Sequence, residues 1–208
     1  MVKVNIELEE GIKTYEFPES WDEVNVEQFC NLYKFNGDEI NELEASIRLL
    51  SALSGIERNI LDMMDIDDFK KLIENLKFIS KELNKVDVDY VELDGEKYYL
   101  YTDFNRLTTG EVISIETLME NAKGNIYIVM PELLCLFLRK KKEDGTLERF
   151  NTNMMERKLI FMKAPITQIY HVFEFFFLWK RHIHKLYEGL YKRTPNLKDV
   201  DSKFKKSS

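Results

Sequence analysis

Between Val172 and Trp179 the chain sets eight residues, VFEFFFLW, of which only Glu174 is charged, and follows them at once with KRHIHK. Neighbours on a helix are turned by about 100°, so Phe173, Phe175, Phe176, Phe177 and Trp179 wrap more than a single stripe. A helix that is apolar nearly all round must be covered on most sides, by its own domain or by another chain. No other stretch restricts the fold as strongly, and four readings compete for it. A membrane span fails on length, because Ile166 to Trp179 is 14 residues and includes Thr167, Gln168, His171 and Glu174, whereas a crossing helix needs about 20. A metal site is poorly supported: His182 and His184 would point about 200° apart on a helix, and helical zinc pairs favour i,i+4 spacing. A nucleic-acid grip has Arg181, His184, Lys185 and Lys192 along one face, but Glu188 interrupts the row and the protein is acidic overall, at −7. An amphipathic core helix fits best, since Ile169, Val172 or Phe173, Phe176, Trp179, Ile183, Leu186 and Leu190 recur every three or four residues. The surplus aromatic surface then calls for a partner. Phe175, Phe177 and Trp179 are expected to pack against it, with Lys180, Arg181 and Lys185 flanking the contact.

Upstream, the pattern alternates between strand pairs and helices. Val2, Val4, Ile6 and Leu8 alternate with polar residues, Glu10-Gly11 supplies a turn, and Ile12–Phe17 returns, which predicts a hairpin. Asn25 with Gln28 reads as a capping box for a helix bearing Val26, Phe29, Cys30 and Tyr33. A second helix carries Ile40, Leu43, Ile47, Leu50 and Leu53 on one stripe and is closed by Gly55. A short helix near Glu57–Met64 follows, then one capped by Asp65 or Asp67 that runs to about Leu83. The stretch VDYVELDGEKYYLY, residues 88–101, places Asp94-Gly95 between strand-like runs and predicts a second hairpin. Its order matches VNIELEEGIKTYEF at 4–17, and a capped helix follows each, so a hairpin-plus-helix duplication is one reading. Thr108 or Thr109 caps the next helix, and Pro131 places the start of another near Met130. LRKKKEDGTLERF reads as a charged loop or hairpin turning at Asp144-Gly145, followed by a helix over Met154–Met162. The expected fold class is α+β, predominantly helical, with two β-hairpins at the N-terminus and about residues 88–101. Residues 1–85 and 86–194 form a soft division followed by a polar tail at 195–208, and a single compact domain fits the pattern equally well.

Charge is divided along the chain. Residues 1–104 hold 11 Lys+Arg against 25 Asp+Glu, and 105–208 hold 19 against 12. The excess of the second half lies in 153–208, with 12 basic and 5 acidic residues. That polarity suits head-to-tail packing of identical subunits or domain docking, acidic surface against basic, and equally two separately solvated faces. Cys30 and Cys135 sit in helix-like apolar stretches and read as two buried thiols in preference to a long-range disulfide. Catalytic signals are weak. The eight Gly are scattered without a phosphate loop, no Ser lies in a nucleophile-elbow context, and the acids of DMMDIDD at 62–68 lack the glycine and terminal Glu of a calcium loop. The chain therefore reads as non-enzymatic, with no cofactor, no metal and no membrane partner.

Three stretches together carry a family likeness: SWDEVNVEQFCNLYKF with ASIRLLSALSGIERNILDMMDIDDF, KYYLYTDFNRLTTGEVISIETL, and LLCLFLRKKKEDGTLERFNTNMMERKLIFMKAPITQIYHVFEFFFLW. In order and spacing, over most of residues 15–180, this resembles small structural and assembly proteins of tailed bacteriophages, the crAss-like phages of gut bacteria in particular. The resemblance is a pattern of helices and hydrophobic anchors, and it transfers no functional residue. It implies a virion neck, ring or head-tail connector, tail-associated or packaged cargo component, made in the host cytoplasm. Such a protein contacts other phage structural proteins and copies of itself as a homo-oligomer. A non-virion tail-assembly chaperone is the close competitor, and a nucleic-acid-associated protein using the basic C-terminal region the more distant one.

Overall fold

In the computed structural model, residues 1–8, 11–34, 40–84, 88–103 and 106–177 are described. The alternating N-terminal pattern forms an antiparallel pair, β1 (Val2–Leu8) with β2 (Gly11–Phe17), in register from Val2↔Phe17 to Leu8↔Gly11. Pro18 ends it, because a proline cannot donate to the ladder. The capping box forms as expected. The Asn25 side chain accepts from the Gln28 backbone N–H at 2.8 Å, and the Asn25 N–H donates to Gln28 Oε1 at 3.0 Å, starting α1 (Val26–Tyr33). Helix α2 (Glu42–Ser54) is capped by the Asn41 side chain and closed by Gly55 at φ 72°, the left-handed conformation that glycine adopts without strain. Ile47, Leu50 and Leu53 bury the predicted stripe. Its first two members do not join them: Ile40 precedes the helix, and Leu43 in the first turn is exposed.

Helix α3 (Arg58–Asp62) matches the short segment expected there. Helix α4 (Ile66–Glu74) starts at Asp65 but stops well before Leu83. A turn and a 3₁₀ segment, Lys77–Ser80, replace its last turns. The reason is packing at the far end. Ending the helix at Asn75 lets Phe78 bury edge-on to Trp21, at 5.5 Å between ring centroids, and brings the Lys81 carbonyl to the Trp21 indole N–H at 2.9 Å. A continued helix would carry both elsewhere.

The second hairpin is β3 (Tyr90–Leu93) with β4 (Glu96–Leu100), turned by Asp94 at φ 51° and Gly95 at φ 75°. Two successive positive φ values are those of the hairpin turn whose twist matches its strands. A third strand was not anticipated: β5 (Leu138–Arg139) pairs antiparallel with β4 through Tyr99↔Arg139 and Leu100↔Leu138. The charged stretch after it turns as expected at Asp144-Gly145, with Lys142 N–H donating to the Thr146 carbonyl. Helix α5 (Thr109–Asn121) begins in a second capping box, Thr108 with Glu111. Helix α6 (Met130–Phe137) has Pro131 in its first turn, as the sequence required. The predicted 154–162 helix resolves into a 3₁₀ segment, Thr152–Arg157, and α7 (Lys158–Met162). Residues 166–177 are helical again. The fold is thus α+β and predominantly helical, with a two-stranded and a three-stranded antiparallel sheet.

The chain divides into a unit at Met1–Val172 and a second at Phe173–Ser208. At the centre of the first lies α6, in which Met130, Pro131 and Leu133–Phe137 are all buried. It packs against α1, α5 and α7. Its one charged residue, Glu132, pairs with Lys158. The unit closes on itself where residues 24–26 meet 164–166. Val26 N–H donates to the Ala164 carbonyl at 3.0 Å and Ile166 N–H to the Val24 carbonyl at 2.8 Å. Asn25 and Pro165 face each other at the position of this antiparallel bridge that needs no hydrogen bond, so the missing proline N–H is harmless there. The Asn25 N–H is released for its own capping box. Together with the Asn125 side-chain amide on the Tyr33 carbonyl, these bonds tie residues on both sides of position 85 into one unit.

Candidate interaction surfaces

Of the six residues expected at a partner contact, two fall in the described chain. Phe175 is half-buried and Phe177 is 40 % exposed, both in the helical stretch, whereas Phe173 and Phe176 are buried. Trp179, Lys180, Arg181 and Lys185 lie outside the described residues, as do His182 and His184.

Within the first unit a different surface stands out. Strand alternation sends Tyr90, Tyr99 and Tyr101 to one side of the three-stranded sheet, together with Lys97, Arg139 and Lys141. Tyr90 and Tyr99 are opposite one another, with ring centroids 5.5 Å apart. The Lys97 amine lies 4.2 Å from the centre of the Tyr90 ring and the Lys141 amine 3.8 Å from that of Tyr99. The reverse side carries Val91 and Tyr98 into the core, where Tyr98 meets Phe161 edge-on at 5.0 Å.

The Arg139 guanidinium is held by four groups. It covers the Tyr101 ring at 3.5 Å, donates through Nε to the Leu136 carbonyl at 3.2 Å and through Nη1 to the Glu148 carbonyl at 3.4 Å, and pairs through Nη2 with Glu111. Arg139 and Glu111 side chains are 3 % and 2 % exposed. Glu111 is also the third residue of α5, and its other oxygen accepts the Thr108 N–H. One carboxylate therefore caps a helix and neutralises a buried cation of the sheet. This pair reads as architecture, because every donor that the guanidinium presents to the protein is directed at a structural group. Next to it, Glu148 binds Arg157 and accepts the Lys140 N–H at 2.9 Å. Burial pushes its carboxyl up, but the Arg157 guanidinium and the Lys140 N–H outweigh this and hold it below the usual carboxylate value.

A polar recess in the first unit is a cleft of about 450 Å³ lined by Asp22, Val88, Asp89, Tyr90, Glu92, Pro165, Thr167 and Gln168. Asp22 comes from the 3₁₀ turn Trp21–Glu23, Glu92 and Tyr90 from β3, and Thr167 and Gln168 from the first helical turn after Pro165. Asp22, Asp89 and Glu92 are exposed and form no ion pair among the described residues. Thr167 is buried beside them.

The two cysteines are buried and free. Burial pushes each thiol up to about 12, and the nearby Glu132 carboxylate acts in the same direction. Neither is a thiolate at neutral pH, which removes them as nucleophiles. Among the described residues no group of three or more His, Cys, Asp or Glu could hold a metal ion. No helix among them is long and apolar enough to cross a membrane.

The tyrosine face and the cleft were missed in the sequence, although KYYLY alternates aromatic residues on one side of a strand. What could not be read was the third strand, which brings Arg139 and Lys141 beside those rings. Compared with protein-family models, with curated proteins and with solved structures, the chain matches none.

Proposed function

We propose that this protein is a non-enzymatic structural or assembly component of a tailed phage particle, acting through protein–protein contacts. The observation that carries the reading is apolar surface left open on the helical layer beside the first hairpin. Leu43 on α2 is 52 % exposed, Ile66 on α4 is 55 % and Met63 between α3 and α4 is 83 %. Ile12 on β2, the strand against which α2 packs, is also exposed. Apolar side chains of this size gathered on neighbouring elements favour a protein partner. The resemblance to tailed-phage assembly proteins and the division of charge along the chain support the same reading, as does Phe177. Other phage structural proteins, and copies of this chain in a homo-oligomer, are the partners it implies. Mass spectrometry of purified particles tests it: a constant copy number per particle supports a virion component. Its absence from particles, with capture of a tail protein from infected cells, selects the tail-assembly chaperone instead.

A second reading is favoured by the sheet face. Tyrosines interleaved with lysines offer stacking planes and phosphate partners for single-stranded nucleic acid, in addition to the basic 153–208 region. Binding that weakens steeply with added salt and is lost in Tyr99→Ala or Lys141→Gln would support it. No binding at low salt removes it.

A further inference from the structure

We propose that β1 pairs edge to edge with β1 of a second copy of this chain, antiparallel about a two-fold axis at Asn5, so that two hairpins make one four-stranded sheet. The proposal rests on the assembly reading above and names a contact by which two copies join. β1 is an outer strand. It is paired with β2 along Val2–Leu8, and no backbone hydrogen bond from another described residue reaches its other edge. In an antiparallel ladder every second residue turns its N–H and C=O away from the partner strand. This edge therefore presents a row of backbone donors and acceptors along a seven-residue strand. Cover on the inner face also thins towards it. On β2, against which α2 packs, Tyr15 and Phe17 are buried, whereas Val2, Val4, Ile6 and Leu8 on β1 are only half-buried.

What fits this edge is written in the strand itself. VKVNIEL is matched about its centre: Val4 mirrors Ile6, Lys3 mirrors Glu7 and Val2 mirrors Leu8. With Asn5 opposite Asn5 of the second copy, each Lys3 meets a Glu7 across the junction on the exposed face. On the inner face Val2, Val4, Ile6 and Leu8 then meet apolar residues only. The charges extend a row already present. Lys3 faces Glu16 within its own hairpin at 3.3 Å, so the pairing sets it between two carboxylates, Glu16 of its own chain and Glu7 of the second copy. The Thr14 hydroxyl donates to Asn5 Oδ1 at 2.8 Å. The Asn5 amide N–H groups, which have no acceptor among the described residues, are left for the Asn5 oxygen across the axis.

No other pairing of β1 with itself serves as well. Shifting the antiparallel register by two residues sets Lys3 or Glu7 opposite Asn5 and leaves strand ends unpaired. Shifting it by four opposes Lys3 to Lys3 or Glu7 to Glu7, and parallel pairing in register runs like charges side by side. The centred register alone pairs the whole of Val2–Leu8, with about six to eight backbone hydrogen bonds between the copies. Nor does the strand carry the proline or bulge that blunts a lone edge, since its register with β2 is unbroken. Such a contact is self-complementary and closes as a two-fold dimer.

Light scattering over a concentration series and cysteine cross-linking, both on the full-length chain, test the contact. Lys3→Glu should weaken association about tenfold or more, because both charge pairs across the axis become repulsive. Glu7→Lys should do the same. An equal mixture of the two variants should pair again, and so should the double variant Lys3→Glu, Glu7→Lys, since each restores opposite charges at both positions. Asn5→Cys brings two thiols across the axis with Cα atoms about 4.5–5.5 Å apart, within disulfide reach, and should give a linked dimer on mild oxidation by dissolved oxygen. Lys3→Cys should not, its two copies lying about 13 Å apart along the strands. The native thiols are buried and leave the background low. A wild type that stays monomeric at every concentration overturns the proposal. So does association without linkage in Asn5→Cys, or linkage as ready in Lys3→Cys, or failure of both the mixture and the double variant to recover pairing. Wild-type association in both single variants removes this contact and leaves the assembly reading standing. Absence from purified particles would instead remove the virion reading without bearing on the contact.

Discussion

Replacing Glu111 by Gln isolates the charge of the buried Glu111–Arg139 pair from the rest of its environment. Gln serves the third position of a capping box as Glu does, so the bond from the Thr108 N–H can be retained while the negative charge is removed. Arg139, 3 % exposed, then keeps its carbonyl acceptors and its stacking on Tyr101 but loses its counter-ion. Breaking a buried pair in this way costs about 3–5 kcal/mol. For a chain of this size each kcal/mol moves the midpoint by about 2–4 °C, so Tm should fall by roughly 6–20 °C. Thermal and urea denaturation followed by circular dichroism measure it. Arg139→Met should be similarly harmful, because it leaves the Glu111 carboxylate buried with the Thr108 N–H as its remaining partner among the described residues. The double variant Glu111→Gln, Arg139→Met buries no uncompensated charge, and its cost should lie well below the sum of the two single changes. A loss under about 1 kcal/mol for Glu111→Gln, or strict additivity in the double variant, would refute the assignment of this pair as the electrostatic tie between α5 and the sheet.

Further outcomes follow from the other features. Thiol-specific alkylation of the native protein at neutral pH should label neither Cys30 nor Cys135, both pushed up to about 12 by burial, and labelling should appear only on unfolding; rapid modification of the native chain would contradict their placement. The Glu148 carboxyl is held below its ordinary 4.5 in the folded state by Arg157 and the Lys140 N–H. Its stabilising contribution is therefore complete above the unfolded value and is lost as pH falls through the lowered one. Glu148→Gln should flatten the acid limb of a stability-against-pH curve, and an unchanged limb would show that other carboxylates control it. Gly95→Ala places a Cβ on a backbone at φ 75° and should destabilise by about 1 kcal/mol, read as a shift in urea midpoint.

Local signals were legible wherever a side chain acts on its own backbone. Asn25, Thr108, Gly55, Pro131 and the Asp94-Gly95 pair each set a boundary through an interaction spanning a few residues, and each boundary falls where the pattern placed it. Errors arose where a distant partner decides. Helix α4 ends early because Trp21, far back in the chain, takes Phe78 and the Lys81 carbonyl. Residues 138–139 leave α6 as a strand because β4 offers an edge. The same cause hid the candidate sites. Asp22, Asp89, Glu92 and Thr167 share no periodicity or motif, and only the folded chain gathers them around one recess. The aromatic run at 173–177 drew attention as the helix with too much apolar circumference, yet it is α6, with a modest MPELLCLF, that is enclosed on nearly every side. Aliphatic residues give a fully buried helix a quieter signature than five aromatic ones.

The clasp of residues 24–26 with 164–166 has a consequence for how the protein is made. A ribosome delivers the first hairpin and α1 early, but the acceptor and donor that complete Val24 and Val26 emerge only after almost the whole unit has been synthesised. Until then α1 lacks its later neighbours α6 and α7 in their final places. Closing so long a loop comes late and slowly. A nascent chain stalled before Pro165 should therefore be far more open to protease than one stalled after the helical turn at 166–169, even though most of its secondary structure has already been translated.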